Sequence, residues 1–284
     1  MPDVKAETIN ADLHCHSYVS DGLLAPAEVA ARAHANGVQL WALTDHDEVG
    51  GIAEAARAAG DLGMPFIPGV EISVTWADET IHIVGLNFDP ADPTLIAGLA
   101  RTRNGRYARA VEMGERLARV GIPGVFEGAR KYVENPDLIS RTHFARYLVD
   151  SGHCKDIAEV FDRYLSEGRP GFVEHRWARL SDAVGWIRGA GGRAVVAHPG
   201  RYALDDTAMH AFLSEFKDLG GEGIEVVSGS HKPHHYAIYA ARAREFGFRA
   251  SRGSDYHGPG VSHAELGSVE PLPPGLDPIW SDWI

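Results

Sequence analysis

Along this chain, short apolar runs of strand length end repeatedly in histidine or a carboxylate. The first is Asp12-Leu13-His14-Cys15-His16, with Asp21 in the loop beyond it, and the second, 38–43, runs into Thr44-Asp45-His46-Asp47. The third carries Glu71 in Pro68-Gly69-Val70-Glu71, and the fourth carries His82 in Ile81-His82-Ile83-Val84. The pattern returns late, with His198 after Val195-Val196-Ala197 and with Asp255 and His257 in Gly253-Ser254-Asp255-Tyr256-His257. Side chains alternate faces along a strand, so Asp12, His14 and His16 point one way and two imidazoles converge, while Leu13 and Cys15 face the opposite side. A charged Glu71 within an apolar strand is costly unless it is paired or coordinated. A fold that satisfies these positions together gathers several strand ends at one rim, where a shared metal site resolves the cost.

The remaining pattern supplies such a fold. Strands are expected at 10–14, 38–43, 66–74 and 80–88, with helices at 25–36 and 48–62 between the first three. Pro26 and Glu28 open the first helix and Gly37 stops it. This rhythm predicts a parallel sheet, barrel-like or doubly wound, buried beneath helices. From 92 to 167 the chain turns helical and charged, with apolar residues at helical spacing over 95–120 and 140–151. A helix at 181–189 and strands at 193–197, 223–227 and 249–254 then resume the first pattern. The expected division is a metal-binding barrel from 1–91 and 168–284 and an inserted helical cap from 92–167. Trp280 and Trp283 are expected to pack on the barrel.

Composition narrows the partners. A formal net charge of −12 on 284 residues argues against a long nucleic-acid duplex, whose binding needs many phosphates neutralised. A small anion stays compatible where metal ions or a few arginines reverse the local potential. Two cysteines, Cys15 and Cys154, are too few for a disulfide framework, and no basic stretch followed by an apolar core opens the chain, so a cytoplasmic location is the expectation. No apolar run approaches the roughly 20 residues that cross a bilayer.

Taken together, His14, His16, Asp21, His46, Glu71, His198, Asp255 and His257 resemble the motif set of the polymerase-and-histidinol-phosphatase (PHP) superfamily, over the whole of the expected barrel. The resemblance implies an α/β fold, a distorted (β/α)7 barrel holding three metals at its C-terminal rim. It implies one metal on His14, His16, Glu71 and Asp255, a second on Glu71, His82 and His143, and a third on Asp21, His46 and His257. Asp21 stands where many relatives have histidine. Within the superfamily, 11–17, 81–86 and the size and place of the cap are most similar to stand-alone phosphoesterases acting on nucleoside 3′,5′-bisphosphates and on 5′ ends of short oligonucleotides. The activity implied is conversion of pAp to AMP and phosphate, with short single-stranded RNA as a further substrate. Alternatives are another phosphatase, such as one for histidinol phosphate, an amidohydrolase-like C–N hydrolase, and a non-catalytic metal-stabilised module.

The chemistry expected at such a site is two or three divalent ions. A mixed imidazole and carboxylate set favours Mn, with Fe or Zn as alternatives, over Mg, which prefers oxygen ligands. Neighbouring ions lower the pKa of a water and stabilise phosphate charge, with Glu71 bridging them. His198 is the expected proton donor to the leaving oxygen. For substrate, the run Arg101-Thr102-Arg103-Asn104-Gly105-Arg106 suggests a phosphate clamp, with Thr102 and Arg103 chosen from it, and Arg201 follows the His198-Pro199 pair. Glu134 is a candidate hydrogen-bond acceptor for ribose or base. Trp177 and Tyr202 are candidates for stacking.

Overall fold

The computed structural model, which describes residues 9–133 and 136–283, is a seven-stranded sheet rolled into a barrel. Its strands are β1 (Ala11–Asp12), β2 (Leu40–Leu43), β3 (Phe66–Trp76), β4 (Glu79–Leu86), β5 (Arg193–Val196), β6 (Gly223–Ser228) and β7 (Arg249–Gly253), neighbours in chain order. β1 to β3 are parallel, and so are β5 to β7. Beyond the regular pairing, the Leu13 N–H donates to the Arg252 carbonyl at 3.1 Å and the Asp255 N–H to the His14 carbonyl at 2.8 Å, which brings β7 back to β1. Gly253 permits this approach, since a Cβ there would lie 2.3 Å from the His14 Cβ.

β4 departs from the expected parallel order. It runs antiparallel to both β3 and β5. The chain turns from β3 into β4 through Ala77 and Asp78, whose φ of 48° and 65° are the two left-handed positions of a type I′ hairpin. Because β4 runs backward, His82 near its start, opposite Ser73, reaches the rim that the other strands reach at their ends.

Strand alternation divides the core. Ala42, Ile67, Val84, Leu86 and Val195 meet Trp280 and Ile279 in one cluster within the barrel, with Trp283 packed against it. Val70, Ile72, Ile83, Ala194 and Val196 lie on the opposite faces, against helices. On β3 this places Ile67 deep on the inner face and Glu71 four residues nearer the rim on the same face.

Helices α1 (Pro26–Ala35) and α2 (Ile52–Asp61) link β1 to β3. Pro26 opens α1, and Glu28 caps it by accepting from the Ala25 N–H at 2.8 Å. Between β4 and β5 lie α3 (Pro93–Arg103), α4 (Arg106–Arg119), α5 (Val125–Ala129), α6 (Arg141–Asp150) and α7 (Ile157–Val160). The single helix expected over 95–120 breaks between α3 and α4 at Gly105, with φ 96°. Leu95 and Leu99 of α3 pack with the barrel cluster, whereas Met113, Leu117, Phe144, Leu148 and Leu165 form a separate core. That second core draws on residues between Ala110 and Val173. α8 (Leu180–Gly189), α9 (Asp206–Asp218) and α10 (Pro233–Phe246) complete the outer layer; α9 and α10 have no counterpart among the expected elements. Among the described residues, no helix is long and apolar enough to cross a membrane.

Candidate metal centre

Three rim residues just past strand ends hold left-handed backbone: Asp47 at φ 51°, His198 at 25° and Asp255 at 54°. Such conformations are uncommon outside glycine and concentrate at functional sites. They sit where β2, β5 and β7 deliver the polar residues to one point.

Glu71 is the hub of that point. Its Oε1 lies 2.9 Å from His82 Nδ1, 3.0 Å from His198 Nε2 and 3.3 Å from His14 Nε2. Its Oε2 lies 2.9 Å from His46 Nδ1 and 3.4 Å from His16 Nε2. Asp255 Oδ1 is 3.7 Å from His14 Nε2 and 3.5 Å from His16 Nε2, and these two nitrogens are 3.3 Å apart. Asp21 Oδ1 is 3.3 Å from His257 Nε2 and 3.8 Å from His46 Nε2. Ligands held about 2.0–2.2 Å from one ion lie about 3–3.6 Å from one another, and these separations are close to that. The atoms form overlapping groups: His16, Asp21, His46 and His257; His14, His16 and Asp255; His46, Glu71 and His82; and His14, Glu71 and His198.

The hydrogen-bond pattern tests whether a metal suits them. His46 Nδ1 and His82 Nδ1 each approach Glu71 to 2.9 Å yet make no aligned hydrogen bond. Glu71 Oε2 and Asp21 Oδ1 are likewise buried without a hydrogen-bond partner. Buried lone pairs facing one another are costly unless a cation lies among them. The donor set, nitrogen and oxygen without sulfur, fits a divalent ion of the Mn, Fe or Zn kind.

Protonation states agree with this. Burial opposes ionisation of Glu71, but the His82, His14 and His46 imidazoles outweigh it and hold the carboxyl well below its usual range. Burial likewise opposes, and neighbouring histidines outweigh, at Asp21 and Asp255. Burial, with His257 and His46 nearby, pushes His16 down to about 3, and burial with Arg201 does the same at His198. Burial lowers His46 too, but Glu71 and Asp21 prevail and raise it to about 9. Ionised carboxylates draw protons onto imidazoles where no other cation is near, and metal binding releases such protons.

Several expected residues stand elsewhere. His143 joins none of the ligand groups: at the third position of α6, its Nδ1 accepts from the Ser140 N–H at 3.0 Å, in a capping box. Burial pushes it down to about 4, so it is neutral with its proton on Nε2. Asp12 accepts from the Ser254 and Gly267 N–H groups at 2.9 and 2.8 Å, closing the barrel. His198, expected to act as a free acid, has a ligand's place beside His14 and Glu71. Cys15 is buried packing, its thiol donating to the Ala42 carbonyl at 3.2 Å.

A cavity of about 310 Å³ opens over the centre. Its wall carries Asp21, His46, Glu71, His82, His198, Asp255 and His257, together with Arg106, Arg109, Arg141, Arg146 and Arg201. Thr102 and Arg103 do not line it. Thr102 is buried, its hydroxyl donating to the Gly98 carbonyl at 3.1 Å, and Arg103 donates to the Asp47 carbonyl and pairs with Glu48 at 3.2 Å. Arg201 meets Asp255 Oδ2 at 3.3 Å, and Trp177 lines the wall with the Arg106 guanidinium 4.4 Å from its ring centroid. Tyr202 is committed to strand ends, donating to the Ala197 carbonyl at 2.7 Å and accepting from the His82 N–H at 3.0 Å. Glu134 lies outside the described residues.

Two arginines of the wall stand out electrostatically. Arg109 donates to the Val173 carbonyl at 2.9 Å and Arg141 to the Leu165 carbonyl at 3.5 Å, and no ion pair to a carboxylate within 4.0 Å is found for either among the described residues. Burial, with Arg141 and Arg106 adjacent, pushes Arg109 down to about 9, and burial with Arg201 and Arg106 nearby lowers Arg141. A guanidinium keeps its charge at neutral pH regardless, so the wall carries uncompensated positive charge facing a cluster of anionic ligands.

Glu225 is the rim residue that sequence reasoning missed. It is buried on β6, and its carboxylate meets His14 Nδ1 at 2.7 Å and the His198 N–H at 2.6 Å. The signal was present, a lone acid inside Gly223-Ile224-Glu225-Val226-Val227, and it is the same signal that marks Glu71.

The chain matches the PHP domain family over residues 12–226. It is 54% identical over 273 residues to a 3′,5′-nucleoside bisphosphate phosphatase of Chromobacterium violaceum, covering 96% of each chain. It is 41% identical to a 5′-3′ exoribonuclease of Haemophilus influenzae, covering 95% of this chain and 97% of that one. A solved structure from Chromobacterium violaceum, described as an amidohydrolase with bound sulfate and no metal, is 54% identical, with a TM-score of 0.93 over 95% of this chain and 94% of its own.

Proposed function

The chain belongs to the PHP domain family, and from that premise we propose that it is a divalent-metal-dependent phosphatase that removes the 3′-phosphate of nucleoside 3′,5′-bisphosphates, releasing a nucleoside 5′-monophosphate such as AMP. The observation that carries the reading is the pairing of the Glu71-centred ligand groups with Arg109 and Arg141, which have no carboxylate partner among the described residues, across one small cavity. The cavity's size is near the lower end of small-molecule pockets, roughly 300–1,000 Å³. Similarity to the Chromobacterium violaceum phosphatase over nearly the whole chain supports the same substrate class.

In this reading His14, His16, Asp21, His46, Glu71, His82, His198, Asp255 and His257 would hold two or three ions, Mn first. Ions held there would supply water activation at neutral pH and counter-charge for the phosphate oxygens. The protein's own groups do the rest. Glu71, Asp21 and Asp255 stay ionised, and neutral His16 and His198 keep lone pairs turned inward. His198 serves as a ligand here and not as the proton donor. Arg109 and Arg141 hold the phosphate that is not cleaved, since guanidinium pairs with phosphate through charge-assisted, often bidentate bonds. Trp177 closes the wall on the insert side.

The test is phosphate release from a nucleoside 3′,5′-bisphosphate with Mn²⁺, compared with the nucleoside 5′-monophosphate and with a Glu71→Gln protein. Release from the bisphosphate alone, lost in the variant, is the expected result. Equal or faster release from histidinol phosphate, or from neither, would sink the assignment. The exoribonuclease similarity favours a second use of the same cavity, trimming short RNA from its 5′ end; shortening of a 5′-phosphorylated oligonucleotide by wild-type but not by Glu71→Gln protein is its check.

A further inference from the structure

Glu225 sits on β6 in full burial and contributes to none of the ligand groups. Its two oxygens face two different donors. Oε1 accepts from His14 Nδ1 at 2.7 Å, and Oε2 accepts from the backbone N–H of His198 at 2.6 Å. The β6–β7 register shifts between Glu225 and Val227, an irregularity of the kind that re-aims a side chain.

Both donors lead to ligands. His14 Nε2 belongs to two of the groups, one with Glu71 and His198 and one with His16 and Asp255. The His198 backbone, at φ 25°, is in a region that a histidine keeps only where its surroundings hold it. With both Glu225 oxygens placed to accept, the geometry fits a proton on His14 Nδ1 and leaves the Nε2 lone pair free to face Glu71. Its other oxygen ties down the turn that carries the His198 ring.

We propose that Glu225 is the positioning residue of the metal centre, one carboxylate that sets the tautomer and ring plane of His14 and the backbone of His198 together. The assignment rests on reading the rim as a metal centre. An amide in its place has one acceptor and one donor group, so it serves one of the two N–H groups and confronts the other with a like donor. Carboxylates behind metal-bound histidines commonly govern affinity by about 10–100-fold.

The experiment titrates metal-free protein with Mn²⁺ by calorimetry, for wild type and Glu225→Gln, with circular dichroism to establish that the variant is folded. The expected result is binding weakened about 10–100-fold in the variant. A second measurement needs no variant: nitrogen-15 resonances of the His14 ring in zinc-loaded wild-type protein are expected to show the proton on Nδ1. Mn²⁺ affinity within twofold of wild type in a folded Glu225→Gln protein, or a His14 ring without a proton on Nδ1, overturns the proposal. If the variant does not fold, the resonance measurement decides. Phosphate release is followed in parallel: wild-type protein that binds Mn²⁺ yet leaves the bisphosphate intact refutes the proposed function and leaves Glu225 in its role.

Discussion

The Arg106 guanidinium, at the start of α4, is seated on the Asp47 carboxylate just past β2. Asp47 also accepts from the Ser73 N–H at 2.7 Å and the Ser73 hydroxyl at 2.9 Å, so a single buried acid joins the insert to two strands of the barrel. Removing one partner of such a pair leaves a charge buried without its counterpart, which typically costs about 3–5 kcal/mol. Asp47→Asn is expected to lower unfolding stability by about that amount, and Asp47→Asn with Arg106→Met by clearly less than the sum of the single changes. Urea unfolding of the four proteins checks it; a loss under about 1 kcal/mol in Asp47→Asn would show that the pair is not a clasp.

Among the described residues Arg109 and Arg141 have no carboxylate partner, so an anionic substrate is their natural complement. A hydrogen bond to a charged group is worth about 1.5–3 kcal/mol, and losing one converts to roughly a 10–100-fold rise in KM. Arg141→Met is expected to raise KM for the bisphosphate by that factor and to leave Mn²⁺ binding unchanged. Steady-state kinetics decides, and an unaltered KM removes Arg141 from the substrate site.

Metal removal acts on stability as well as on activity. Chelator-treated protein is expected to melt at a lower temperature, and Mn²⁺ at about 100 times its dissociation constant to restore about 2.7 kcal/mol. Protons compete for the same imidazoles, so Mn²⁺ affinity is expected to fall as pH falls. Calorimetric titrations at pH 6 and 8 provide the comparison; affinity independent of pH contradicts a histidine-rich site.

His175, beside Gly105 and edge-on to the Trp177 ring, offers a pH signature away from the ligands. Burial, with Arg109 and Arg106 nearby, pushes its pKa down to about 4, below the roughly 6.5 expected of the unfolded chain. The unfolded state therefore binds more protons between those values, and stability is lost as pH falls through that window. After allowance for its partial exposure, His175→Gln is expected to lose about 1–2 kcal/mol less than wild type between pH 7 and pH 4. Parallel stability curves for the two proteins would contradict this.

The rim was legible because strand alternation and electrostatic cost act locally: a His-x-His at a strand end or a lone acid in an apolar run is visible in a few residues. Glu225 obeyed the same rule and was passed over because its strand ends in Ser228, without a ligand to draw attention. The reversal of β4 was not legible, since Ala77-Asp78 lacks the Asn-Gly or Gly-Gly chemistry that usually marks a type I′ turn. The break at Gly105 lay within a run that carries apolar residues at helical spacing on both sides. His143 shows the opposite difficulty: Ser140-x-x-His143 fits a helix cap as well as a ligand, and only three-dimensional placement separates the two. The arginines that face the cavity could not be told from those on solvent faces, because which face of α4 and α6 turns toward the rim depends on how the insert docks.

Because β4 runs backward, the chain leaves it at Leu86, opposite Gly69 and Arg193 near the starts of β3 and β5, on the side of the barrel away from the metals. α3 then climbs the outer wall, with Gly98 against Trp186, before Gly105 turns the chain over the rim. The return is fastened too, by the Ala178 bridge to Val74. Among the described residues, the segment between these two fastenings supplies four of the five arginines of the wall, all but Arg201, and none of the ligand groups. A chimera that swaps 106–173 for the corresponding stretch of a relative is expected to change which phosphate ester is admitted and to keep the ligand groups beneath intact, so the selectivity of this barrel can be revised without rebuilding its rim.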